Sequence, residues 1–128
     1  MADLVFPGKG SGAILNSSAM PKSYDMEIYK GDYVEIYVTL KDSTGTVMNL
    51  TGYTATARIR ENFSSTTYFD FTVTIANPTS GIVKLYLPTS VSDTLTPGTY
   101  IWGFKVTNPS GDSRTYLAGD VTVYDEVN

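Results

Sequence analysis

The sequence predicts an all-β fold: an Ig-like β-sandwich of about seven antiparallel strands behind an extended N-terminal arm. Three observations carry this. From Tyr24 onward, apolar and polar residues alternate at period two almost without a break. Turn sequences built from Asp, Asn, Pro and Gly punctuate that alternation at short intervals. The chain has 30 Ser and Thr and 10 Tyr in 128 residues, a supply that suits strands better than helices. That length suffices for one domain, and a chain that alternates on nearly every strand needs two packed sheets to hide its apolar faces.

The elements follow in order. Met26 to Tyr29 forms a short first strand. Tyr33 to Lys41 turns Val34, Ile36, Val38 and Leu40 inward and Tyr33, Glu35, Tyr37 and Thr39 outward. Asp42–Gly45 and Asn49–Gly52 are turns. Tyr53 to Arg60 faces Ala55, Ala57 and Ile59 to the core, and Asn62–Ser65 breaks the pattern. A fourth strand, Thr67 to Ile75, buries Phe69, Phe71, Val73 and Ile75. After the Asn77–Gly81 turn, Ile82 to Leu87 buries Val83, Leu85 and Leu87. Thr89 to Leu95 is the one helical turn expected, with Ser90 and Asp93 as its capping signal. Thr99 to Thr107 carries the heaviest apolar face, Tyr100, Trp102, Phe104 and Val106. Asn108–Gly111 leads into the last strand, Arg114 to Asp125, where Gly119 marks a bulge or a close backbone approach. The expected core is Trp102, Phe69, Phe71, Phe104 and Tyr100. An antibody domain would have a disulfide there, and here aromatic packing must replace it.

Residues 1–23 read differently from the domain, 24–128. They are rich in Gly, Pro and Ser, with two apolar clusters, Leu4-Val5-Phe6 and Ala13-Ile14-Leu15, and no period. The expectation is an arm that docks Leu4, Val5, Phe6, Ile14 and Leu15 onto a neighbouring subunit. The N-terminus lacks a basic region followed by an apolar stretch, so no secretory signal is expected, and no membrane segment is expected either.

Composition excludes several chemistries. With no Cys and no His there is no disulfide, no Cys/His zinc site, no thiol nucleophile and no triad with a His base. A net charge of −4 argues against a generic nucleic-acid binder. The aspartates sit at turns and strand ends, without the spacing of a calcium loop or of paired glycosidase carboxylates. Gly8–Gly12 lacks the spacing of a phosphate-binding loop. No enzyme activity, metal or cofactor is expected. The surface points to assembly instead. Tyr33, Tyr37, Tyr68 and Tyr86 face outward and are expected to cluster on one sheet as a subunit interface. Arg58, Arg60 and Arg114 could form an anionic contact, but the expectation is an exposed sheet face with ordinary salt bridges.

The order of signatures is Lys30-Gly31-Asp32, Asp42–Gly45, Asn49–Tyr53 and Ala57–Arg60, then Gly81–Val83, Pro97–Tyr100, Val106–Gly111 and Gly119–Val123. Over roughly residues 26–125 this resembles the Ig-like domains of tailed-bacteriophage virion proteins, notably the N-terminal domain of the upper baseplate protein family. The resemblance implies a structural role in a virion assembled in the host cytoplasm. Members of that family continue into a helical or fibrous part. This sequence stops at Asn128, so the expectation is a standalone, homo-oligomeric capsid decoration protein. Its partners would be the major capsid protein or baseplate and tail proteins, with no nucleic acid or membrane. A tail or baseplate adaptor that attaches fibres is the near alternative. A glycan-binding adsorption module is the distant one.

Overall fold

The computed structural model describes residues 22–42 and 44–127, together with the backbone of 2–5 and 14–15. Eleven strands among them form two sheets. Sheet A has the order β2(Ile14–Leu15)-β1(Ala2–Val5)-β5(Val34–Leu40)-β9(Ile82–Leu87)-β8(Thr72–Asn77). Sheet B has the order β3(Lys22–Ser23)-β11(Ser113–Tyr124)-β10(Gly98–Thr107)-β6(Thr54–Arg60)-β7(Tyr68–Asp70), and β4(Met26–Tyr29) also pairs with β11. This is an Ig-like β-sandwich.

The alternation in the sequence is what closes it. Ile36, Val38 and Leu40 from β5 and Val83, Leu85 and Leu87 from β9 meet Ala57, Ile59, Trp102, Phe104, Leu117 and Val121 of sheet B. Leu50 and Leu95, both fully buried, plug the core from loops. The helix α1(Thr89–Ser92) starts at Pro88 with no side-chain cap, and Asp93 closes its C-terminal end instead of capping the front.

The expected fourth strand is two. β7 pairs with β6 in sheet B and β8 pairs with β9 in sheet A, so the chain changes sheets at Phe71. Phe71 is buried, and its amide donates to Ala57 O at 2.9 Å as the chain crosses.

The leading segment also has a place in the domain. Ala2–Val5 pair antiparallel with β5, Ala2 opposite Leu40 and Val5 opposite Tyr37, and β2 lies beyond β1. In the single chain this stretch therefore lengthens sheet A at the edge of β5. Lys22–Ser23 and Met26–Tyr29 then run parallel to β11, with a break at Tyr24–Asp25. That break is pinned from three sides. Tyr24 N–H donates to Ala118 O (2.9 Å), Trp102 Nε1 donates to Tyr24 O (2.7 Å), and Asp120 N–H donates to Asp25 Oδ1 (2.9 Å). Gly119 lies beneath it. A Cβ there would collide with Tyr24 O and sit 2.7 Å from Asp25 Oδ1. Gly119 is thus a close approach and not a bulge; the register shift between β10 and β11 falls at Phe104/Lys105.

The turns are closed by their own side chains. Asp42 accepts from Thr44 and Thr46 amides, and Asn49, Asn62 and Asn108 each accept from the amide two residues on. Gly81 ends a 3-10 turn, Pro78–Ser80, at φ +68°, where a Cβ would lie 2.6 Å from Leu40 O.

Candidate functional site

Two outer sheet faces carry the candidate residues. On sheet A, alternation turns Tyr33, Glu35 and Tyr37 outward from the β5 segment and Lys84 and Tyr86 outward from β9. Register brings Glu35 opposite Tyr86 and Tyr37 opposite Lys84. The Tyr33 and Tyr86 rings lie 6.3 Å apart at 45°. Lys84 Nζ ties the group together, 3.5 Å from Glu35 Oε2 and 5.5 Å from the Tyr86 ring centre. Tyr33 is 63% exposed, whereas Tyr37 and Tyr86 are half-buried. The result is an aromatic patch in which Tyr33, Tyr86, Lys84 and Glu35 hold one another, so these side chains lose less rotamer freedom when a partner covers them.

Tyr68 does not belong to that patch. Because the fourth strand changes sheets at Phe71, Tyr68 lies on β7 in sheet B, opposite Arg60. The Arg58 guanidinium sits 3.7 Å from the Tyr68 ring centre, and Arg58 Nε and Nη2 donate to Asp70 Oδ1 and Oδ2 at 2.7 and 3.4 Å. Hydrogen bonding to Asp70 pushes the Arg58 pKa further up. Arg60 reaches the same ring at 5.9 Å. Arg114 does not join them. It pairs in register with buried Val106, at a dip lined by Met48, Tyr53 and Asp112. The three arginines do not form one contact.

Of the expected core, Phe71, Tyr100, Trp102 and Phe104 are buried, and Phe69 is half-buried against them. Phe71 and Trp102 rings lie 6.1 Å apart, and Phe69 meets Tyr100 edge-on at 6.3 Å. Phe6 lies outside the described residues, as do the side chains of Leu4, Val5, Ile14 and Leu15.

Two surface features escaped the sequence reading. Phe63, in the Asn62–Ser65 loop, is 89% exposed. Its signal was a large aromatic inside a turn sequence, a position that normally takes small polar residues. The second is a tyrosine pair, Tyr29 and Tyr124, with rings 5.5 Å apart. The Tyr124 hydroxyl donates to Glu27 Oε1 at 3.1 Å, and that bond to a carboxylate raises the Tyr124 pKa. Parallel pairing of β4 with β11 creates this group, and no local pattern reports it. Among the described residues, no three His, Cys, Asp or Glu side chains are placed to hold a metal ion.

No family model and no curated protein matches the chain. Among solved structures it is similar to the Lin-41 filamin domain, with TM-score 0.43 and 18% identity over 77% of this chain and 82% of that one. It is also similar to a family 123 glycoside hydrolase from Clostridium perfringens, with TM-score 0.37 and 14% identity over 82% of this chain. This chain covers 23% of that hydrolase's length.

Proposed function

We propose that this chain is a non-enzymatic structural protein of a tailed-phage virion, a capsid decoration protein that works by docking. The observation that carries the reading is the Tyr33–Tyr86 ring contact on the outer face of sheet A, beside the Lys84–Glu35 ion pair and with Tyr37 on the same face. Such a face offers large contact area at low entropic cost, and repeated on a symmetric lattice many modest contacts add through avidity. The virion assignment itself rests on the sequence resemblance. The proposed partners are other virion proteins and further copies of the chain. A baseplate or tail adaptor is the second reading, supported by the same resemblance.

Quantitative mass spectrometry of purified particles tests this. Hundreds of copies per particle are expected for decoration, and a dozen or fewer would replace that reading with the adaptor. Absence from purified particles would refute both. Tyr37→Ala combined with Tyr86→Ala is expected to lower occupancy on the particle while leaving the domain folded.

A further inference from the structure

The outer face of sheet B is chemically divided across its strands, from β6 and β10 on one side to β11 and β4 on the other. Alternation places Ala118, Asp120, Thr122 and Tyr124 on the outer side of β11. At the Ala118 end lies a hollow of about 560 Å³. Gly103 and Ala118, paired in register, floor it without side-chain bulk, and Arg58, Arg60, Phe63 and Lys105 stand around it. Arg58 is engaged by Asp70, whereas Arg60 and Lys105 form no ion pair among the described residues. From Ala118 to Tyr124 the strand runs about 20 Å. At that end Tyr29 and Tyr124 project, 48% and 40% exposed, beside Glu27, and Asp125 and Glu126 follow. The β6–β10 side of the face therefore carries an apolar trough with Arg60 and Lys105, which form no ion pair among the described residues. The β4–β11 side carries Glu27, Asp120 and the projecting Tyr29 and Tyr124 rings.

We propose that this face is a two-fold interface between two copies of the chain. The Tyr29–Tyr124 pair of each copy enters the Gly103–Ala118 trough of the other, and Glu27 and Glu126 meet Arg60 and Lys105. The charge arrangement favours a closed pair over an open chain. Acid and base lie on one face, displaced along one direction, so a half-turn rotation satisfies both sides together. The contact deepens the homo-oligomer part of the function proposed above and is tested on purified protein, independently of the virion assignment.

Light scattering and sedimentation of the full chain are expected to give twice the 13.9 kDa monomer mass. Arg60→Glu and Glu27→Arg should each weaken the dimer about tenfold or more, and the two together should restore most of the affinity. Ala118→Trp fills the trough from outside the core and should abolish the dimer with the circular dichroism unchanged. A monomeric wild type, a dimer indifferent to Ala118→Trp and Arg60→Glu, or a double variant no better than the singles would each overturn the proposal. So would a dimer dissolved only by Tyr37→Ala with Tyr86→Ala, a result that leaves the sheet A docking reading standing. A monomer whose Gly103 amide resonance shifts with a heparin oligosaccharide or an acidic peptide would assign the hollow to that ligand instead.

Discussion

Gly119→Ala is the sharpest test of how the two ends of the chain are joined. The new methyl would occupy space already held by Tyr24 O and by Asp25 Oδ1, 2.7 Å away. Both are fixed, since Tyr24 O accepts from Trp102 Nε1 and Asp25 Oδ1 accepts from the Asp120 amide. The Tyr24–Asp25 break must lift, straining or losing those two bonds and the Tyr24–Ala118 bond, each worth about 1 kcal/mol. Overpacking adds about 1–3 kcal/mol, and the conformational gain of Ala over Gly in a strand returns about 0.5–1 kcal/mol. The expected net loss is about 3–5 kcal/mol. Urea unfolding followed by the fluorescence of Trp102, the only tryptophan, reads it directly. The midpoint should fall by at least about 1 M. Gly103→Ala, read at a protein concentration where the chain is monomeric, is the control, because its Cβ would lie 3.7 Å from the nearest atom, and its stability should be unchanged or up to about 1 kcal/mol higher. A Gly119→Ala loss below about 1 kcal/mol would refute the reasoning.

Phe71→Ala empties the point where the chain crosses between sheets and should cost about 3–5 kcal/mol in the same assay. A double-mutant cycle on Arg58 and Asp70 should return a coupling of about 1 kcal/mol or less, because the two side chains are 37% and 48% exposed. Hydrogen bonds from the Thr44 hydroxyl and then the Thr46 amide hold the Asp42 carboxyl below the ordinary value of 3.8. A depressed folded-state pKa stabilises above the ordinary value and is lost as pH falls through the depressed one. Carboxyl titration by NMR should therefore give a midpoint under 3.8, and Asp42→Ala should abolish the acid dependence of the 42–46 turn.

The strands that alternate over six or more residues were readable because burial and pairing repeat together along them. β5, β9 and β10 are examples, and the Asx turns between strands have local chemistry that depends on no distant partner. The fourth strand was misread for a physical reason. Phe71 stays in the core while the hydrogen-bonding partner changes from β6 to β9, so period two passes through the corner unbroken. An unbroken strand would carry Tyr68 on sheet A, whereas the corner leaves it on sheet B. The leading residues gave no period because β1, β2 and β3 are only two to four residues long. Gly119 announced that something approaches its backbone, but the approaching atom belongs to Tyr24, far away in sequence. The Glu27–Tyr29–Tyr124 group was invisible for the same reason.

The parallel pairing of β4 with β11 sets an order of events during synthesis. Met26 needs Val121 as its partner, so β4 cannot be seated until β11 has left the ribosome. At about 5–20 residues per second, that wait lasts on the order of 5–20 s. During it, β4, whose Met26 and Ile28 are buried in the folded domain, lacks the strand it pairs with. Seating of β4 therefore waits on β11, a long-range pairing that closes late.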